Sequence, residues 1–171
     1  VVFNRSDNGL YSGVISGSGS LKKSGSGTLT LSGANTYSGG TTVSAGTLAF
    51  ANKNALYNAV TNNWTVDKIT VASGATLALT VANGSNPFTV ADVQLLAALG
   101  SSTAGLLSGA ILGLDTNGGN FTYSNILANP NGNVLSLSKL GAGTLTLSGA
   151  NTYTGSTTVS AGTLAFANRN G

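Results

Sequence analysis

The sequence predicts an all-β chain wound into a right-handed parallel β-helix, with one short helix in it. Three observations carry that expectation. Residues 27–54 return almost unchanged as residues 143–170, differing only at Ser38/Thr154, Gly40/Ser156 and Lys53/Arg169. Self-similarity at a fixed step marks stacked architectures. Within each copy apolar and polar residues alternate, as in Thr28-Leu29-Thr30-Leu31, which is the period of a half-buried strand. The triplet Gly-Thr-Leu recurs at Gly27 and Gly46, 19 residues apart, and again at Gly143 and Gly162. A strand that returns so soon, with turns between, fits one coil of a solenoid. A sandwich gives no reason for so long a duplicate, whereas a coil that contacts only its neighbours works again wherever it is repeated.

The elements follow in order. Residues 1–26 place short apolar pieces, Val14-Ile15 and Leu21, between Gly/Ser pairs, and read as short strand, turn, short strand. The segment Tyr11-Ser-Gly-Val-Ile15 resembles Tyr123-Ser-Asn-Ile-Leu127, so the first repeat unit spans 11–54. In it Thr28–Leu31, 41–44 and 47–50 are strands, with Leu48 and Phe50 on one face. Residues 55–136 form a spacer. After a looser passage around Trp64, alternation resumes at Ile69 and Val71 and at Leu77, Leu79 and Val81. An irregular or helical insertion occupies about 91–114, where Val93, Leu96 and Ala97 recur at helical spacing and Gly100 is placed to stop the helix. Residues 106–114, broken by Gly109 and Gly113, suit either a strand or an irregular cap. The second repeat unit is 137–171, and the whole of 1–171 reads as one continuous solenoid. Its expected core is Leu29, Leu31, Val43, Leu48, Phe50, Ile69, Val71, Leu77 and Leu79.

Composition narrows the chemistry. Of 171 residues only 6% are charged, where roughly 25% is usual. There is no Glu, His, Cys or Met. A 41% hydrophobic content in regular alternation argues against disorder. The net charge of +3 comes from scattered Lys and Arg, without the clustered basic and aromatic residues of a nucleic-acid surface; these charges read as solvated, and no nucleic-acid partner is expected. Without Cys the chain must be held by backbone ladders and stacking. No window is apolar enough for a spanning helix. The opening has no basic and apolar leader, so no signal peptide is expected, and the chain reads as an excerpt of a longer protein.

No catalytic, cofactor-binding or metal-binding residue is expected. Ser and Thr have no His or Glu to activate them, which leaves only a Ser–Lys pair. The carboxylates Asp7, Asp67, Asp92 and Asp115 lie far apart in sequence; a sugar-cleaving site needs two together, and stacking can bring distant residues together. Zinc and repeat-type calcium sites lack their ligands. Gly17-Ser-Gly19 and Gly25-Ser-Gly27 are turn glycines, not phosphate loops. Sequons at Asn4, Asn63, Asn83 and Asn120 matter only in a glycosylating host. The threonines Thr28, Thr30, Thr41, Thr42 and Thr47 suit strands, or form an outward ladder of the water-ordering, ice-binding kind.

Residues 25–48 and 141–164 closely resemble the autotransporter-associated β-strand repeat, also called the passenger-associated transport repeat. Residues 11–23 look like its lead-in, and 54–137 look like the spacer between such repeats in very large bacterial surface proteins. The resemblance implies a parallel β-helix in a secreted or surface-displayed passenger, a role in its export and folding, and no catalytic residue. It covers no translocator barrel. The reading that follows is a non-enzymatic stalk or fibre module. Its partners would be neighbouring modules, with end-to-end or lateral self-association, since exposed coil edges invite pairing. An adhesive module binding glycans or a host surface is the alternative, with Tyr37, Tyr57, Trp64 and Tyr153 as candidate contacts; a polysaccharide-acting β-helical enzyme is the third.

Overall fold

Glycine corners cut this chain into short strands, and most of the strands stack on one a coil earlier. The computed structural model describes residues 1–167; residues 168–171, with Arg169 and the end of the second repeat unit, lie outside the described residues. The first coil holds β1 (Val2–Phe3) and β2 (Gly9–Tyr11), the second β3 (Leu21–Lys23) and β4 (Thr28–Leu31). The third holds β5 (Thr41–Val43) and β6 (Thr47–Phe50), the fourth β7 (Ile69–Val71) and β8 (Thr76–Thr80). Then come the helix α1 (Val90–Ala97), β9 (Gly105–Leu106), β10 (Ala110–Asp115), β11 (Phe121–Tyr123) and β12 (Leu135–Leu140). The last are β13 (Thr144–Leu147), β14 (Thr157–Val159) and β15 (Thr163–Phe166).

All the strand ladders are parallel. They form a five-stranded sheet β1-β3-β5-β7-β9, a seven-stranded sheet β2-β4-β6-β8-β10-β12-β14 and a three-stranded sheet β11-β13-β15. This is a parallel β-helix. Leu21 pairs with Thr41 and Thr28 with Thr47, so a repeat coil takes 20 or 19 residues. The spacer coils are longer: Thr41 pairs with Ile69 and Thr70 with Gly105. The extra length between β6 and β7 is taken up by three 3-10 turns over 53–63, and that between β8 and β9 by α1. A capping box closes the start of α1, Thr89 accepting from Asp92 N–H and Asp92 from Thr89 N–H.

The interior is built in columns. Leu29, Leu48, Leu77, Leu112 and Leu137 lie beside one another across the seven-stranded sheet, and so do Leu31, Phe50, Leu79 and Leu114. All are 5% exposed or less. Every expected core residue is buried, and the segment 106–114 is largely strand. Gly113 sits in β10 between Ala78 and Ser138, where a side chain would press on Ala78 and Leu140.

Two expectations change. Val14 and Ile15 are not an assigned strand; they run along a third, irregular side, where the Ile15 carbonyl accepts from Thr36 and Tyr37 N–H. The strands of the first coil lie instead at β1 and β2. Two lysines read as solvated, Lys23 and Lys139, are buried. The structure also shows that the duplicate strings lie on different sides of the coil. Leu21–Lys23 belongs to the five-stranded sheet, but its counterpart Leu137–Lys139 lies in the seven-stranded one, and Thr144–Leu147 is displaced likewise from Thr28–Leu31. The spacer therefore carries the second repeat one side further round the axis.

Candidate functional site

Strand alternation decides what the seven-stranded sheet offers to solvent. With leucines inward, Thr30, Ala49, Ala78, Gly113, Ser138 and Thr158 line up outward in one row. These are small, so the row is the floor of a shallow trough. Thr28 and Thr47 stand on one bank, and Thr80 and Asp115 on the other. The trough encloses about 240 Å³ and is lined by Thr28, Thr30, Thr47, Ala49, Ala78, Thr80, Asp115 and Leu140. One carboxylate faces it. Asp115 Oδ1 accepts from Asn117 N–H at 2.8 Å, which fixes the carboxylate at the corner. Its lining sets threonine hydroxyls and one acceptor carboxylate among the apolar groups of Ala49, Ala78, Leu140 and the threonine methyls, with no basic group.

Two of the other three aspartates have partners of their own. Asp7 accepts from Arg5 in an exposed ion pair, and Arg5 holds its carboxyl below the usual range. Asp67 is exposed in the segment before β7. Asp92 caps α1 and meets Lys53 at 3.1 Å; burial there works to raise its pKa, but Thr89 and Lys53 outweigh it and the group is lowered. Among the described residues no group of three or more His, Cys, Asp or Glu could hold a metal. No described helix is long and apolar enough to cross a membrane.

Three of the four aromatic candidates for adhesion are inside. Tyr37 and Tyr57 are each 2% exposed, with ring centroids 4.7 Å apart, and their hydroxyls meet at Thr41 Oγ1, 2.6 and 2.9 Å away. Trp64 donates from Nε1 to the Leu56 carbonyl and packs on Phe88. Tyr153 alone of the four is partly exposed. The threonine ladder is also broken up: Thr41 points inward and Thr42 lies in the five-stranded sheet, apart from Thr28, Thr30 and Thr47.

Three side chains that composition did not single out hold coil to coil. The Lys139 ammonium donates to Thr116 Oγ1 and to the carbonyls of Leu140, Gly141 and Ala161. Lys23, its counterpart, donates to the carbonyls of Gly25 and Ala45. Desolvation lowers the pKa of both. Asn35, fully buried, accepts from Ile15 N–H and donates to the Ala55 carbonyl, so one side chain touches the coils on either side of it. The signal was present in the duplicate: Lys22 becomes Ser138, while the inward Lys23 stays Lys at 139.

Comparison with known proteins agrees with this geometry. The passenger-associated-transport-repeat family matches residues 21–50 and 137–166. The chain is also similar to the adhesin BmaC autotransporter of Brucella suis biovar 1 (strain 1330), 38% identical over 113 residues, which cover 63% of this chain and 3% of that protein. The chain thus spans a very small part of that relative's length. No solved structure matches the chain.

Proposed function

We propose that this chain, which carries two passenger-associated transport repeats and is similar to part of an autotransporter adhesin, is a non-enzymatic rod module of a secreted or surface-displayed bacterial passenger. The observation that carries the reading is the shared ladder: strands of both repeats and of the spacer join in one seven-stranded parallel sheet. Such a rod extends and displays whatever it bears, and its continuous backbone pairing leaves few loops for proteases. An antibody raised against this chain should label intact cells of the bacterium that makes it. Labelling that needs permeabilised cells would overturn the reading. The partners we propose are further modules stacked on its coil edges; filaments of separate copies are the competing arrangement, and images of purified particles distinguish the two.

The trough supports a second reading, adhesion to glycans. Its hydroxyl banks and single carboxylate match the hydrogen-bonding edges of neutral sugars better than those of an anionic surface. Purified chain on a glycan panel should then bind neutral glycans, and Asp115→Asn should abolish the signal. A panel without binders removes this reading and leaves the first in place.

A further inference from the structure

Asparagine is followed directly by glycine at Asn8, Asn83, Asn117, Asn131 and Asn170. In such a pair the glycine nitrogen is the least hindered nucleophile a backbone offers to the asparagine side chain, because no Cβ shields it. Asn170 lies outside the described residues. The other four asparagines are all exposed, so exposure does not separate them, but their bonds do. Asn8 Oδ1 accepts from Thr28 N–H at 2.9 Å, and Gly9 already belongs to β2, paired with Leu29. Asn117 N–H donates to Asp115 Oδ1 at 2.8 Å and its Nδ2 to the Asn83 carbonyl at 2.6 Å, while Gly119 N–H closes the turn on the Thr116 carbonyl at 2.8 Å. The Asn117 bond also holds the backbone of Asn83, whose carboxamide packs on Gly119: a side chain there would lie 2.7 Å from Asn83 Cγ. Asn131 differs from all three. Its side chain makes no hydrogen bond among the described residues, and the space beside Gly132 is open. One bond spans its turn, from Asn133 N–H to the Pro130 carbonyl at 2.9 Å. The Asn131 backbone is left-handed, with φ 48° and ψ 38°; ring closure turns ψ away from that value and gives up only this bond.

We infer that Asn131 is a site of spontaneous deamidation in the folded chain. The Gly132 nitrogen forms a bond to Asn131 Cγ and loses its proton, the Cγ–Nδ2 bond breaks, and ammonia leaves with that proton. Water then opens the succinimide at either carbonyl, leaving aspartate or isoaspartate. Water is the only co-reactant, and no electrons are exchanged. The product lines a groove that Asn131 and Pro130 form with Ala97 and Ala98 at the C-terminal end of α1. A new negative charge beside that end is unfavourable, because the helix dipole is negative there and the last turn holds no basic residue. The modification goes beyond the rod reading and does not depend on it.

The test is to age the folded chain at mildly alkaline pH, beside a sample held unfolded in urea, and to assign the amide-to-acid mass gain at each site by tandem mass spectrometry. In urea Asn8, Asn83, Asn117 and Asn131 should react at comparable rates. In the folded chain Asn131 should lead the other three by about tenfold or more, since their reaction needs a larger local opening. A folded chain in which Asn131 reacts no faster than Asn83 or Asn117 overturns the proposal. The effect on the helix is read separately in Asn131→Asp, which carries one of the two products. Hydrogen exchange at Ala98 and Leu99, whose N–H groups donate to the Gln94 and Leu96 carbonyls, should quicken severalfold in that variant; unchanged exchange would overturn the link between the modification and α1.

Discussion

Lys139 sits where a leucine would be expected. It continues the inward column Leu31, Phe50, Leu79, Leu114, and it is fully buried. Burying an ammonium is unfavourable unless its protons are all bonded. Here the corner supplies the acceptors: carbonyls of two successive coils converge on Nζ with the Thr116 hydroxyl. Lys139→Met should fit the space but leave these oxygens unpaired, lowering stability by about 1–3 kcal/mol in urea unfolding, while Lys22→Met, on an exposed side chain, changes it little. The buried phenols set the alkaline limit. Burial raises Tyr123 to about 12 and also raises Tyr37 and Tyr57, whereas the unfolded chain ionises near 10. Above that pH the unfolded state binds fewer protons, so stability is complete below about pH 10 and falls as pH rises toward 12. The lowered lysines act in the opposite sense and favour folding as pH approaches 10 from below. Melting temperatures across pH 8 to 12 should therefore hold or rise slightly and then drop; a monotonic fall from pH 8 would contradict this assignment.

At the level of the coil, two devices make the repeat stackable. The first is close approach. A side chain at Gly33 or at its counterpart Gly149 would overlap a backbone carbonyl of the coil before, Gly13 or Asn125, at 2.1 Å. The second is the asparagine that bonds both ways. Asn35 reaches both neighbouring coils, whereas Asn151 reaches only the preceding one, accepting from Leu127 N–H. Asn35→Ala should therefore destabilise by about 1–3 kcal/mol, and Asn151→Ala by less. Equal losses from the two substitutions would show that the forward bond contributes nothing. The helix is a different kind of element. It has no place in the ladder and covers Tyr123 instead, Gln94 accepting the phenol proton at 2.6 Å.

Across the whole molecule each coil touches only its neighbours, so stability is distributed along an axis. Amide exchange should be slowest where β8, β10 and β12 are flanked on both sides, and fastest at β1 and at β14–β15. A uniform rate from end to end would mean that the rod unfolds only as one unit. Much of this was legible beforehand. Thr28-Leu29-Thr30-Leu31 announces a strand by its period, and its return at 144–147 announces stacking. Ala91 to Leu99 announced a helix, observed as Val90–Ala97. Other features were not legible. Gly9–Tyr11 has no alternation to mark it as β2, because an edge strand takes its conformation from the coil beside it. Tyr37, Tyr57 and Trp64 look the same in sequence whether they line a binding face or a core. The trough comes from residues up to 112 positions apart, Thr28 to Leu140, and no local pattern joins them.

The sequence by itself determined the strands of the duplicated strings, their corners and the fact of stacking, because strand period and glycine placement are local properties and the duplicate is plain text. Only the tertiary structure decided the phase. The residues between the repeats do not complete a whole number of coils, so the second copy turns one side away from the first. That number depends on how the 3-10 turns and α1 fold back on the rod, and those contacts join residues distant in the chain.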